Sequence, residues 1–181
     1  LERAAGKDVL LIERFDRVKV EGGWSRKAMV SALTLLELDE LMARYASYEQ
    51  LATIIRHRFQ APRETLKELF ARMLFNILCG NTDDHARNHA AFWDGVELTL
   101  TPAYDITPLP RTGGKASQAM AIGRDGYRLS QIPPCISRAS TYLLTEEEAR
   151  EIVDRQIETI EREWDDVCEQ ARLTDTAPTY R

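Results

Sequence analysis

The sequence predicts a mainly α (α+β) fold, helical with small antiparallel β-hairpins, and three observations carry that expectation. Residues 65–79 place Leu66, Leu69, Phe70, Met73, Leu74, Ile77 and Leu78 at helical spacing, a single unbroken apolar face. Residues 146–172 do the same with Ala149, Ile152, Val153, Ile157, Ile160, Trp164, Val167 and Cys168, behind a capping box of Thr145 and Glu148. Asp94-Gly95 and Arg124-Asp125-Gly126 mark two turns between short extended runs.

Along the chain, Val9-Leu10-Leu11-Ile12 is a short apolar run, expected as a buried strand, and Glu13-Arg14-Phe15-Asp16-Arg17 is its charged connector. Gly22-Gly23 marks a turn. Residues 28–38 and 48–58 read as helices. The clearest helix follows, with Pro62 where a helix start tolerates it and Gly80 where a helix stops. Next, residues 90–93 and 96–101 form strands around a two-residue primed turn at Asp94-Gly95. Val96, Leu98 and Leu100 alternate there with Glu97 and Thr99, the period of a half-buried strand. On the last helix the phase of Trp164 assigns it to the core.

At 181 residues the chain is one domain's worth, and 44% hydrophobic with 29% charged residues is an ordinary globular composition. The net charge of −5 argues against direct nucleic-acid binding. Arg56-His57-Arg58, the densest basic cluster, reads as one edge of a solvated helix. Cys79, Cys135 and Cys168 are far apart and without C-x-x-C spacing, which excludes a disulfide framework and a zinc knuckle and suits the cytoplasm. No apolar run approaches the ~20 residues of a membrane span, and Leu1-Glu2-Arg3-Ala4 has no signal-peptide character, so no membrane role is expected. Without an initiator Met, the chain reads as a fragment or processed piece.

The chemistry concentrates in residues 80–88, G-N-T-D-D-H-A-R-N, which follow the buried helix directly. Asp83 and Asn88 are five apart, and Asp105 stands seventeen residues further on, after the hairpin. Phosphoryl transfer needs a carboxylate to take or orient the proton of the attacking hydroxyl. It also needs an amide and a second carboxylate to hold Mg²⁺ against nucleotide phosphates, and hard oxygens such as those of Asn88 and Asp105 suit that ion. Other readings stand beside this one. His85 and His89 have the i, i+4 spacing of a zinc site on a helix, but they fall where loop runs into strand. Asp84 is either a ligand or, the preferred reading, a solvated loop residue, and Tyr104 either contacts nucleotide or packs under the hairpin. Glu13, Arg14, Asp16 and Arg17 alone would be a charged linker with local ion pairs. The Gly-rich basic stretch 111–115 either touches phosphate or a protein substrate, or is a surface loop.

E-R-F-D-R, S-A-L-T-L-L, G-N-T-D-D-H-A-R-N-H and L-T-P-A-Y-D, in this order, resemble the C-terminal domain of HipA-like serine/threonine kinases over residues 9–172. The resemblance implies a protein-kinase-like C-lobe spanning 1–181, with residues 1–17 as strand and hinge and the ATP-covering N-terminal lobe not represented. It implies ATP and Mg²⁺ as cofactors, with Asp83 as catalytic base, His85 supporting the loop, Asn88 and Asp105 as metal ligands, and Glu13 and Phe15 offering hinge backbone to adenine. It further implies a toxin that phosphorylates an aminoacyl-tRNA synthetase and is neutralised by a helix-turn-helix antitoxin, the piece alone being inactive. Departures are the absence of a V-A-I-K-like strand and His85 where ordinary kinases place Lys, with Arg87 the nearest cation. Two rival functions remain at this point. A phosphoinositide-type lipid kinase fits the His after the base but lacks a basic membrane-facing surface; a non-catalytic interaction lobe fits the missing phosphate-covering loop.

Overall fold

The computed structural model describes residues 2–110 and 115–173. The chain opens with two small antiparallel hairpins, β1 (Glu2–Ala4) with β2 (Lys7–Val9), and β3 (Arg17–Val20) with β4 (Gly23–Arg26). The expected turn at Gly22-Gly23 forms, with Gly22 at φ 81, a conformation that glycine adopts without Cβ strain. The expected buried strand over 9–12 does not. Val9 ends β2, and Leu10, Leu11 and Ile12 are 68%, 70% and 74% exposed. A short apolar run signals extended backbone but cannot say what will cover it.

A three-stranded antiparallel sheet follows, in the order β5 (Ala28–Ser31), β6 (Ala90–Trp93), β7 (Leu98–Leu100). Residues 28–38 therefore begin as a strand, and only Ala32–Leu35 (α1) is helical. Val30 suits the pleat, pairing with Ala91, and Ser31 caps α1 by accepting the Thr34 N–H, which fixes the switch from strand to helix. The β6–β7 loop is also longer than expected. Trp93 pairs with Leu98, and Asp94 Oδ1 accepts the N–H groups of Val96 and Glu97 at 2.8 Å each. That Asx geometry closes residues 94–97 in place of a two-residue primed turn and leaves Val96 exposed.

The helical layer consists of α2 (Tyr48–Arg58), α3 (Pro62–Leu78), α4 (Ile132–Ile136) and α5 (Glu146–Gln170), with 3-10 turns at Glu40–Tyr45, Ala86–Asn88 and Ala139–Tyr142. Leu66, Leu69, Phe70, Met73, Leu74 and Ile77 of α3 are buried against Leu51 and Ile55 of α2 and against Tyr142, whose ring lies 5.0 Å from that of Phe70. Each such aliphatic or aromatic side chain contributes about 1.5–3 kcal/mol on burial, so the α2–α3 layer is the stable centre of the fold. The capping box of Thr145 and Glu148 opens α5, and Ala149, Ile152 and Val153 bury its first turns. Its apolar stripe is then covered only in part, with Ile157 and Val167 exposed, Ile160 and Trp164 half-buried and Cys168 buried, which corrects the assignment of Trp164 to the core.

The second expected turn forms at residues 123–126, where Gly126 N–H meets the Gly123 carbonyl and Ile122 N–H meets that of Tyr127. Its arms are joined by a single antiparallel bridge, Ser117 with Leu129. Residues 111–114, most of the Gly-rich basic stretch, lie outside the described residues. No helix among the described residues is long and apolar enough to cross a membrane.

Candidate functional site

The polar segment 80–89 leaves α3 through Gly80, whose φ of 73 is the left-handed conformation that ends a helix and turns the chain away from its axis. Asn76, buried on the apolar face of α3, accepts from the Asn81 side-chain amide at 3.0 Å. Across the loop, the Thr82 and Asp84 carbonyls accept the N–H groups of Ala119 and Met120 at 2.8 and 3.1 Å. The loop is thus gripped from the helix on one side and from the 116–130 hairpin on the other.

Asp84 is buried, contrary to its reading as a solvated residue. Its Oδ2 accepts from the Tyr48 hydroxyl of α2 and from His89 Nε2, the latter at 2.9 Å. Burial first, and then the Asp84 charge, raises the Tyr48 hydroxyl well above its ordinary pKa, so it stays a donor; Asn76 stands against the same hydroxyl. A buried carboxylate needs such donors, and these tie the middle of the loop to α2 and to the start of β6. His89 is turned inward onto Asp84, which leaves no His85–His89 pair facing a common ligand. Asn76 and Tyr48 went unrecognised in the sequence. A polar residue at a core phase of α3 was the available signal for Asn76, whereas nothing local to Tyr48 announces a partner 36 residues away.

Asp83, next to this anchor, is exposed, and its backbone carbonyl accepts Asn88 Nδ2 at 3.4 Å. His85 is half-buried and heads the 3-10 turn Ala86–Asn88, its carbonyl accepting the Asn88 N–H at 2.8 Å. Its ring Nδ1 is buried without a hydrogen-bond partner among the described residues. Arg87 is exposed and ion-paired with Glu40.

The segment after β7 is joined to this loop by Tyr104, whose hydroxyl donates to the Arg87 carbonyl at 2.5 Å. Tyr104 packs on Phe15 at 5.7 Å between ring centroids, and Phe15 also meets Phe92 edge-on at 6.0 Å. Tyr104 therefore does pack beside the sheet, while its hydroxyl serves the loop. Partial burial, and then the charges of Asp105 and Asp84, push its pKa up. Asp105 is exposed with φ 57. The other non-glycine residues at positive φ, Ala5, Glu37, Leu143 and Arg172, tip a hairpin or end a helix; Asp105 does neither. Such a backbone costs on the order of 1 kcal/mol and is held by its surroundings. Glu13 is exposed, Phe15 half-buried, and Asp16 between Arg14 and Arg17 forms the local ion pairs expected of a charged linker, at 2.7 and 3.3 Å. The Arg14 guanidinium holds the Asp16 carboxyl down to about 2.

The donor set can be tested against a metal ion. Engagement of Asn88 Nδ2 with the Asp83 carbonyl turns the amide oxygen to the other side, and Asp105 adds a solvent-facing carboxylate. Hard oxygens of this kind, few in number, fit Mg²⁺ completed by phosphate and water. Among the described residues, no three His, Cys, Asp or Glu side chains gather into a cage for a metal.

A helical domain whose polar loop is clamped between a buried helix and a hairpin is the class of structure this geometry defines. The family model of the HipA-like C-terminal domain matches residues 1–164, and the chain belongs to that family. A Haemophilus influenzae protein named "Putative kinase" is 28% identical over 108 residues, 55% of this chain and 32% of that protein. Among solved structures, the fold resembles a chain in the Shewanella oneidensis MR-1 toxin–antitoxin complex of HipA, HipB and operator DNA. The TM-score is 0.70 at 20% identity, over 82% of this chain and 39% of that one, a likeness of fold. The chain spans well under half the length of either relative.

Proposed function

We propose that the chain is the C-terminal catalytic lobe of a toxin serine/threonine protein kinase, which transfers the γ-phosphoryl group of ATP to a protein Ser or Thr. The observation that carries this reading is the Tyr104–Arg87 bond, because it sets the neighbour of Asp105 against the neighbour of Asn88. In this reading Asp83 accepts the proton of the substrate hydroxyl as its oxygen bonds to the γ-phosphorus. The bond to the β,γ-bridging oxygen breaks, and ADP leaves. Asn88 and Asp105 hold Mg²⁺, which neutralises charge on the nucleotide phosphates. His85 supports the loop, and Glu13 and Phe15 form the hinge that offers backbone groups to adenine. The Phe15–Tyr104 packing supports that hinge assignment, since it joins residues 13–17 to the Asp105 segment.

The residues that cover the phosphates belong, in this reading, to a further lobe outside residues 1–181. The outward-facing Leu10, Leu11 and Ile12 support a packing surface for it. The family resemblance supports an aminoacyl-tRNA synthetase as substrate and an antitoxin as partner. The test is transfer of radiolabel from γ-labelled ATP in the full-length protein carrying this chain. Labelling of Ser or Thr that is lost in Asp83→Ala and in Asp105→Ala supports the assignment; undiminished labelling in either variant overturns it.

A further inference from the structure

The uncovered half of α5 forms one wall of an apolar groove that phosphoryl transfer does not use. Ile160, Trp164 and Val167 face Phe75 and Leu78 of α3 and Pro108, enclosing about 310 Å³. Val167 is 56% exposed and Ile157, nearly three turns earlier on the same stripe, 37%. A stripe at this spacing is built to be covered, and its first half is: Ala149, Ile152 and Val153 are buried.

Charge decides what can cover the second half. Between Ile157 and Gln170 stand Glu158, Glu161, Glu163, Asp165, Asp166 and Glu169 against Arg162 alone, an excess of five negative charges that equals the −5 of the whole chain. At about 100° per residue, Glu161 and Glu163 fall on opposite flanks of the stripe, which therefore runs between two acidic rims, and Glu163 itself lines the groove. A second copy docked by a two-fold axis would set these acidic rims against each other. An anionic membrane surface and a nucleic acid would be repelled for the same reason.

We propose that this groove docks a basic amphipathic helix of a partner protein, whose apolar stripe fills the space around Trp164 and whose Lys and Arg residues meet the rims. A volume near the lower end of the usual range for pockets, about 300–1,000 Å³, admits one or two bulky apolar anchors. Such an occupant sits directly behind the candidate site. Leu78 leads through Cys79 into the polar loop, and the Cys79 carbonyl accepts the Leu109 N–H from the segment after Asp105 at 3.2 Å. The groove is independent of the kinase assignment, and so is its test.

The probe is a synthetic Leu/Lys peptide with its leucines at i, i+3, i+4 and i+7, titrated against the 181-residue chain. One-to-one binding that weakens with salt is expected, with a change in tryptophan fluorescence that Trp164→Phe removes. Val167→Lys should weaken binding about tenfold, as loss of an interface anchor does, with the circular dichroism unchanged. Should that variant fail to fold, Ile157→Lys on the same exposed stripe serves instead. Equal affinity for a scrambled Leu/Lys peptide, unchanged binding by the folded variant, or self-association abolished by it would each overturn the proposal. So would binding that tightens more than about tenfold when the chain is ended at Leu173, since the groove would then belong to residues 174–181.

Discussion

The Tyr48 hydroxyl donates to Oδ2 of Asp84, a residue 36 positions away, and that one oxygen also accepts from His89. The contact is fully buried, so neither partner can fall back on water. Tyr48→Phe should destabilise the chain by about 1–3 kcal/mol, because it leaves the carboxylate short of a donor in a dry site. Asp84→Ala should cost more, about 3–5 kcal/mol, since two donors lose their acceptor and a cavity opens. Urea unfolding followed by circular dichroism measures both. A double-mutant cycle should return a coupling of about 0.5–3 kcal/mol; additive effects would show that the contact contributes nothing of its own.

Asp83 and Asp105 should behave in the opposite way. Both are exposed, so Asp83→Ala should leave stability within about 0.5 kcal/mol while abolishing phosphorylation in the full-length protein.

Asp105 carries the further mark of φ 57. Asp105→Gly should relieve the backbone and raise the unfolding free energy by up to about 1 kcal/mol, less whatever glycine adds to the entropy of the unfolded chain. Phosphorylation should be lost all the same. A glycine variant clearly less stable than Asp105→Ala would show that the backbone there is not strained.

What the sequence revealed and what it concealed divide along physical lines. The face of α3 was legible because burial repeats with the helical period, and the boundaries of α2 agree with the reading of 48–58 as a helix. The polar loop was legible because so many hydrophilic residues directly after a buried helix must surface. Residues 28–31 were misread as helix because a strand's partner, here β6 some sixty residues later, leaves no local trace. Asp84 was misread for the same reason: its burial depends on Tyr48 and on the hairpin that backs the loop, neither of them a neighbour in sequence. The uncovered half of α5 shows the converse, a period that signals an apolar face without telling whether this chain covers it.

Cys135 provides a test that depends on burial alone. Desolvation pushes its thiol up to about 12 from 9.0, and Sγ donates to the Gln131 carbonyl. At pH 8 the thiolate is then only about one part in ten thousand, so iodoacetamide should label Cys135 only as fast as the chain unfolds. The unfolded chain gives up this proton near pH 9 and the folded chain near 12, so the Cys135 contribution to stability should be level below pH 9 and fall as pH rises between the two values. Cys135→Ala should flatten that slope where it begins, below the range in which the raised Tyr48 and Tyr142 hydroxyls add theirs. Rapid labelling of Cys135 in the native state would contradict the buried placement.

Nucleotide binding by these 181 residues alone should be weak, and the reason lies in what phosphoryl transfer requires. Most of its catalysis is positioning and charge stabilisation, which need groups on every side of the triphosphate. In the proposed reading Asn88, Asp105 and the 13–15 hinge form one wall only. Tyr104 ties two parts of that wall together, yet nothing among the described residues closes over Leu10 to Ile12. Calorimetric titration with ATP·Mg²⁺ should therefore give a Kd no tighter than about 1 mM, roughly 4 kcal/mol of binding. Phosphate release should be undetectable, and adding EDTA should remove whatever ATP binding remains. Micromolar affinity with sustained turnover would place the nucleotide elsewhere on this chain and sink the assignment of Asn88 and Asp105.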